Sequence, residues 1–506
     1  MVNMTEARGV LVLDVGTESV RAALVGTDGT IHAMAGGNPA FSSPRPGWAE
    51  QSPAEWWDLS RRTIRQLTAG YPDFAVLGIG VSAQMHACIP VDGAGTLLME
   101  QVPIWCDKRS SALCREVETR ISPATQIQKT ANLLLPAWTG PKMRWVAVNQ
   151  PEVYAGTRYF LTAKDYINHC LTGEFVTDYS EASGSFLFSW EQKLWDPDLV
   201  DLFGLDRHKL PPVVASSEII GNLTAERAAE LGLRPGLPVI CGAGDMLCLL
   251  LGGGMARHGS SCDVTGTAAD VSIFSPVPLL TERLMNLHHA IDGWISFGIL
   301  DSGGGSLKWL KDALYDRGKG NKASYREIDG EAGSVPPGAE GLLYFPYLLG
   351  ERLLGSPHAR GSFFGLLPGH RRGHFARAVM EGVCFDLRMS LEEIERLYGE
   401  PVKEMSVIGG GAKSDLWCQI KADIYGKPMY TLEEAEGGIV GAAMLTFSAV
   451  SGESVSGLAA RWLTRNREFT PIREACPVYD QNYSRFRRFH DLFQEAYRHY
   501  SDDGLK

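Results

Sequence analysis

Between residues 238 and 270 the chain reads PVICGAGDMLCLLLGGGMARHGSSCDVTGTAAD, an acid followed by two glycine-rich turns. Residues 239–241 are a short apolar run of strand character, Gly242 and Gly244 make a tight exit, and residues 246–251 begin an apolar helix. Asp245 therefore stands at the carboxyl end of a strand, where open α/β sheets keep their ligands. Two roles fit it: a base that accepts a proton, or a cap for the free N–H groups of the helix that follows. Taken alone, the cap is the simpler role. The odds change with the second turn, Asp263-Val264-Thr265-Gly266-Thr267, because Asp14-Val15-Gly16-Thr17 reads the same way near the start of the chain. Each lies between strand-like runs, and each joins a carboxylate, exposed backbone N–H groups and a hydroxyl, the means to hold a phosphate and a hydrated Mg²⁺. One such turn alone is an ordinary hairpin. Two, half a chain apart, predict a duplicated architecture with a shared nucleotide cleft.

The elements that must position these groups follow the same punctuation. Residues 9–35 predict a meander of strands, residues 53–69 an amphipathic helix, and residues 76–81 a strand ending in Ser82-Ala83-Gln84-Met85-His86. That tip is a ligand position, although an isolated histidine is more often a satisfied, partly buried one. Trp105-Cys106-Asp107-Lys108-Arg109 suits polyol hydroxyls or a surface ion pair equally. Residues 160–190 read as scaffold. In the second half, Ser302-Gly303-Gly304-Gly305-Ser306 precedes a helical pattern, and a strand over residues 405–408 leads through Gly409-Gly410-Gly411 to Ser414 and a helix over 416–425. Glycine runs of this kind serve either close packing or backbone approach to a ligand. Aromatic residues from 479 to 493 recur at helical spacing, as on a docking face.

At 506 residues the chain exceeds what one core organises, so two domains are expected, divided as 1–243 and 244–506. With 44% hydrophobic and 21% charged residues it has the composition of a soluble globular protein. A formal charge of −11 argues against nucleic acid or anionic membrane as a partner. The 10 cysteines include no CxxC pair, which speaks against a zinc site or disulfide framework and for a reducing compartment. There is no apolar signal core and no membrane-spanning run, so a cytoplasmic location is expected.

Taken in order, LDVGTESVRAAL, WAEQSPAEWW, SAQMHA, WCDKRS, NLLLPAWTGPKMRWV, LTAKDYINHCLTGEF, GAGD, VTGTAAD, YFPYLLGER, PHARGSFFGL and GGGAKSDLWCQIKADIYGKP resemble the FGGY family of carbohydrate kinases nearly end to end. The resemblance implies an α/β fold of two actin/Hsp70-like (ribonuclease H-like) domains around a central nucleotide and sugar cleft. It implies ATP and Mg²⁺ as cofactors, a small-molecule sugar as partner, and allows a homodimer. By the same resemblance Asp245 is the catalytic base, and Met85, His86, Asp107 and Met246 face the sugar. Asp14, with Asp245 through water, organises the metal. Thr17, Thr265, Gly266, Thr267, Gly304, Lys308, Gly410, Gly411 and Ser414 line the nucleotide.

Within the family the SAQMHA, WAEQSPAEWW and NLLLPAWTGPK segments are most similar to the xylulokinase branch, which implies phosphorylation of D-xylulose to D-xylulose 5-phosphate. Gly266-Thr267-Ala268-Ala269 stands where that branch usually reads GTSG, Gly350-Glu351-Arg352-Leu353-Leu354 where it reads GERTP, and Met246 where it commonly has Asn. Another ketose such as ribulose or L-xylulose, a polyol, or an aldonate such as gluconate is the alternative acceptor. A nucleotide-dependent sensor of the same fold is the alternative without transfer.

Overall fold

The computed structural model describes residues 7–316, 322–351, 353, 358–433 and 436–502. Arg352 and Leu354 of the GERLL stretch lie outside the described residues. Two seven-stranded mixed sheets organise the chain. The first uses β1 (Arg8–Val15), β2 (Val20–Gly26), β3 (Ile31–Gly37), β4 (Ala75–Ala83), β5 (Ile219–Asn222), β6 (Pro238–Ile240) and β7 (Ala243–Gly244), in the order β5-β6-β4-β1-β2-β3 with β7 also on β4. The second uses β8 (Ser261–Thr265), β9 (Ala269–Ser275), β10 (Met285–His288), β11 (Trp294–Leu300), β12 (Met405–Ile408), β13 (Met429–Leu432) and β14 (Arg465–Phe469), in the order β10-β11-β9-β8-β12-β13-β14.

The duplication predicted from the two turns is present in the topology. β1 is antiparallel to β2 and parallel to β4; β8 is antiparallel to β9 and parallel to β12. The DVGT and DVTGT turns thus leave equivalent central strands of the two sheets. Register then sets the neighbours of the first acid. Asp14 lies opposite Arg21 across the β1–β2 hairpin and beside Ser82 of β4.

Strand alternation decides which way Asp14 faces, since successive side chains leave opposite faces of a sheet. Leu11, Leu13 and Val15 join the core under α1 (Pro53–Gly70), which is capped by Ser52 and buries Trp56, Ile64 and Leu67. Val10 and Val12 join the opposite core, shared with α2 (Asp245–Gly252) and with a helix from the far end of the chain, Gly437–Ser451. Asp14, in phase with Val10 and Val12, is carried on that second face, toward the other half of the molecule. Residues 303–310 form α3 (Gly303–Leu310), and the second sheet is backed by α4 (Arg372–Tyr398) and α5 (Asp415–Tyr425); Gly437–Ser451 is α6. The aromatic face at the C-terminus docks as expected: Tyr479, Tyr483 and Phe486 of helix Cys476–Asp502 are buried in the second core.

α2 and α6 cross closely. A Cβ on Gly441 would lie 1.9 Å from the Cys248 carbonyl oxygen, and one on Gly252 would lie 1.9 Å from that of Gly437. Both obstacles are backbone, so Gly441→Ala has to push the helices apart. Its expected cost is ~1 to 3 kcal/mol, the range for overpacking, read as a lower thermal midpoint; an unchanged midpoint would mean that the two helices separate there without loss of packing. All 10 cysteines are free thiols, and no helix among the described residues is long and apolar enough to cross a membrane.

Candidate active site

Asp14, the last residue but one of β1, sits in a polar corner built by the sheet register. Arg21 Nη2 donates to its Oδ2 at 2.5 Å and the Ser82 hydroxyl to its Oδ1 at 3.2 Å. The other guanidinium nitrogen of Arg21 donates to Glu436, just before α6, at 2.5 Å. Arg21 therefore ties the first acidic turn to the second half of the chain.

Asp245 is the first residue of α2, and the N-cap position falls to Gly244, whose N–H is held by the Ser180 hydroxyl at 3.0 Å. The Asp245 Oδ1 accepts the N–H of Met246 at 2.7 Å. Burial first, and the Asp14 charge second, push the Asp245 carboxyl up to about 7. A carboxyl poised there takes a proton from an acceptor at neutral pH more readily than an ordinary carboxylate. Met246 is half-buried against the apolar core between the halves.

Met85 and His86 are brought to the same place. A Cβ on Gly244 would lie 2.6 Å from Met85 Sδ, so the tip of β4 touches the residue before Asp245. His86 has φ +64°, left-handed backbone that costs a residue with a Cβ ~1 to 2 kcal/mol. Its ring stands edge-on to Trp138, with centroids 5.0 Å apart, and packs on Gly184, where a Cβ would lie 2.3 Å from the imidazole. Burial, then the Lys142 charge, pulls His86 down to about 3, so the ring is neutral at physiological pH. Its Nδ1 is buried without a hydrogen-bond partner among the described residues.

Around this pair runs a chain of polar side chains. Trp105 Nε1 donates to Thr17 Oγ1 at 3.0 Å, Thr17 Oγ1 to Gln84 at 3.3 Å, and Gln84 Nε2 to Gln51 at 2.7 Å. Gln51 in turn donates to the Thr17 carbonyl at 2.9 Å. Thr17 thereby links the turn after β1 to the segment that carries His86. Asp107 is not brought among the open groups. Its Oδ1 accepts the Arg109 N–H and Nε, and its Oδ2 accepts Arg109 Nη2 and the Ala49 N–H, all within 2.7 to 2.9 Å. Four donors fill a carboxylate. The ion pair that sequence left as an alternative is the one realised, but it is buried, with Arg109 also on Glu50 and over the Trp48 ring.

In the second half of the chain, three glycine-rich turns converge. The Gly304 and Gly305 N–H groups donate to Gly266 and Thr267 carbonyls at 3.0 and 2.9 Å. Gly409 takes φ +82°, and a Cβ there would lie 2.7 Å from the Thr265 carbonyl oxygen. Gly410 follows it, and Gly411 packs on the Thr265 side chain. The Thr265 hydroxyl is buried and points inward: it donates to Asp263 at 2.8 Å and accepts Lys421 Nζ at 2.6 Å, with Lys421 also paired to Asp263. Ser414 caps α5 by accepting the Trp417 N–H at 3.0 Å. Lys308 is exposed and paired with Asp312 at 2.8 Å.

Sequence reasoning missed Arg21, Lys142, Glu181 and Lys421. The first had a signal, since a hairpin turning at residues 16–19 puts residue 21 opposite residue 14. The others come from distant segments and left none.

Two sheets of the same design, one bearing Asp14, the other the glycine turns, with Asp245 at the helix between them, define a two-domain α/β kinase fold. The chain belongs to the FGGY family of carbohydrate kinases: the family's N-terminal domain matches residues 9–252 and its C-terminal domain residues 255–450. The xylulose kinase of Staphylococcus epidermidis is 33% identical over 486 residues, covering 94% of this chain and 95% of that protein. The crystal structure of xylulose kinase from Rhodospirillum rubrum superposes with a TM-score of 0.90 at 30% identity, over 97% of this chain and 99% of that one. The gluconokinase of Bacillus subtilis is 26% identical over 503 residues, 97% of this chain and 98% of that protein.

Proposed function

We propose that this kinase transfers the γ-phosphoryl group of ATP to D-xylulose, forming D-xylulose 5-phosphate, with Asp245 as the general base. The observation that carries the reading is the contact of Met85 with Gly244, which brings the segment of the neutral His86 against the start of the helix that carries the raised carboxyl of Asp245. The choice of sugar is supported by the xylulose kinases among the similar proteins. Residues 1–243 hold the acceptor, through Met85 and His86, and the Asp14 turn; residues 244–506 supply the base and the nucleotide turns around Gly266, Thr267, Gly304, Gly410 and Gly411.

Phosphoryl transfer asks little covalent work of a protein: it must align donor and acceptor, offset phosphate charge and receive the hydroxyl proton. Asp245 receives that proton at a carboxylate oxygen, while Oδ1 is steadied by the Met246 N–H. Asp14 and Asp245 are close enough for their charges to interact, and no cluster of three metal-ligating groups occurs among the described residues. Two carboxylates fit Mg²⁺ that keeps its waters and leans on phosphate oxygens. When bound, the ion neutralises charge on the transferring group.

The acceptor is tested by ADP release with D-xylulose, D-ribulose, L-xylulose and D-gluconate. D-xylulose is expected to give the highest kcat/KM; D-gluconate in that place would overturn the choice of sugar, and acceptor-independent ADP release would favour a sensor. The state of Asp245 adds a pH prediction. The base works unprotonated, so kcat/KM for the acceptor climbs nearly tenfold per pH unit on the acid side and levels off above about 7. A profile flat from about pH 5.5 to 8.5 would remove Asp245 from that role.

A further inference from the structure

Both main-chain polar groups of His86 are held by buried ionisable side chains from far along the chain. Glu181, 95 residues away, accepts the His86 N–H at Oε2 (3.1 Å), and Lys142, 56 residues away, donates to the His86 carbonyl at 2.8 Å. The Lys142 ammonium is fully buried and also donates to the Ala137 carbonyl at 2.6 Å. Ala137 precedes Trp138, the ring that stands edge-on to His86. One ammonium therefore fastens both partners of the His86–Trp138 contact by their backbones. The left-handed conformation of His86 is one that a residue with a Cβ leaves unless its surroundings enforce it.

We propose that Lys142, with Glu181 as its counterpart on the N–H side, is a positioning residue for the acceptor: it acts through His86 and sets how tightly the sugar is held. The proposal rests on the reading of His86 as an acceptor-facing residue. Neither carbonyl nor ammonium meets the sugar in this scheme. Loss of the clamp lets the His86 peptide relax toward ordinary backbone and swings the imidazole from its place beside Met85 and Gly184. Glycine at 184 matters here, since a Cβ would occupy the volume of the imidazole.

A double-mutant cycle separates this role from plain scaffolding. Lys142→Met is expected to raise the KM for D-xylulose ~10-fold, as for one lost charge-assisted hydrogen bond, with the KM for ATP moving less than ~2-fold. In a His86→Ala background the same change adds less than ~2-fold, because coupled residues are non-additive. Additive effects, or a lower melting temperature with the acceptor KM unmoved, would overturn the proposal. If D-gluconate is the better acceptor of the wild-type enzyme, the cycle is run with D-gluconate, so that a wrong sugar is not mistaken for a wrong clamp. A His86→Ala enzyme with the parental acceptor KM would bring down the reading of His86 and the proposal with it. A ligand-free measurement stands beside the cycle. In ¹³C-histidine-labelled protein the His86 ring signal, assigned by its loss in His86→Ala, is expected to move in Lys142→Met, or in Lys142→Gln if the methionine variant does not fold. An unmoved signal would show that Lys142 does not hold His86.

Discussion

Asp245→Asn is expected to lower kcat by about 10² to 10⁴, the contribution of a positioned general base, while ATP and acceptor still bind. The amide keeps the shape of the carboxylate and still accepts the Met246 N–H, so the start of α2 is unchanged. The same variant carries a stability signature of opposite sign. In the folded protein the Asp245 carboxyl lies near 7, above its ordinary 3.8, so its protonated form favours folding. That contribution is complete below about 3.8 and is lost as the pH rises through about 7. The neutral amide is spared the loss, and Asp245→Asn should melt higher than the parent at pH 8 while matching it near pH 4. Turnover within about threefold of the parent would remove Asp245 from the base role. A lower melting point at pH 8 would mean that the carboxylate is stabilising where it stands.

Asp14→Ala should be nearly as severe for turnover, by ~10² or more, with Mg²⁺-free nucleotide binding changed little. Arg21 keeps Glu436 as a partner, so the link between the halves persists and the loss is not one of folding. A second readout is tied to the first. Asp14 is one of the two causes that raise the Asp245 carboxyl, so the residual activity of Asp14→Ala should have its pH midpoint shifted to the acid side. Equal losses of Mg²⁺-free binding and turnover, with an unmoved midpoint, would place Asp14 in the scaffold instead.

Sequence carried the architecture because its signals are local. The echo of DVGT in DVTGT predicted two sheets of one design, and the strand over residues 405–408 and the helices after Asp245 and Ser414 form within a residue or two of where their patterns begin. Side-chain direction was not legible in the same way. Asp107 and Thr265 have the right types near the right turns, yet Arg109 fills one and Asp263 with Lys421 turns the other inward. Residues 160–190, read as scaffold, supply Glu181 to the His86 N–H. The Lys142, Glu181 and Lys421 contacts close loops of 56 to 158 residues, and no periodicity or turn signal reports them.

The central claim, that one cleft sets a sugar hydroxyl between Asp245 and the γ-phosphate, is tested most directly by the structure of the protein with an inert ATP analogue, Mg²⁺ and D-xylulose. The primary hydroxyl is expected within ~2.6 to 3.2 Å of an Asp245 carboxylate oxygen and in line with the γ-phosphorus, with His86 against another hydroxyl. A sugar seated away from Asp245, or a nucleotide whose phosphates avoid the glycine turns at 266, 304 and 410, would contradict it.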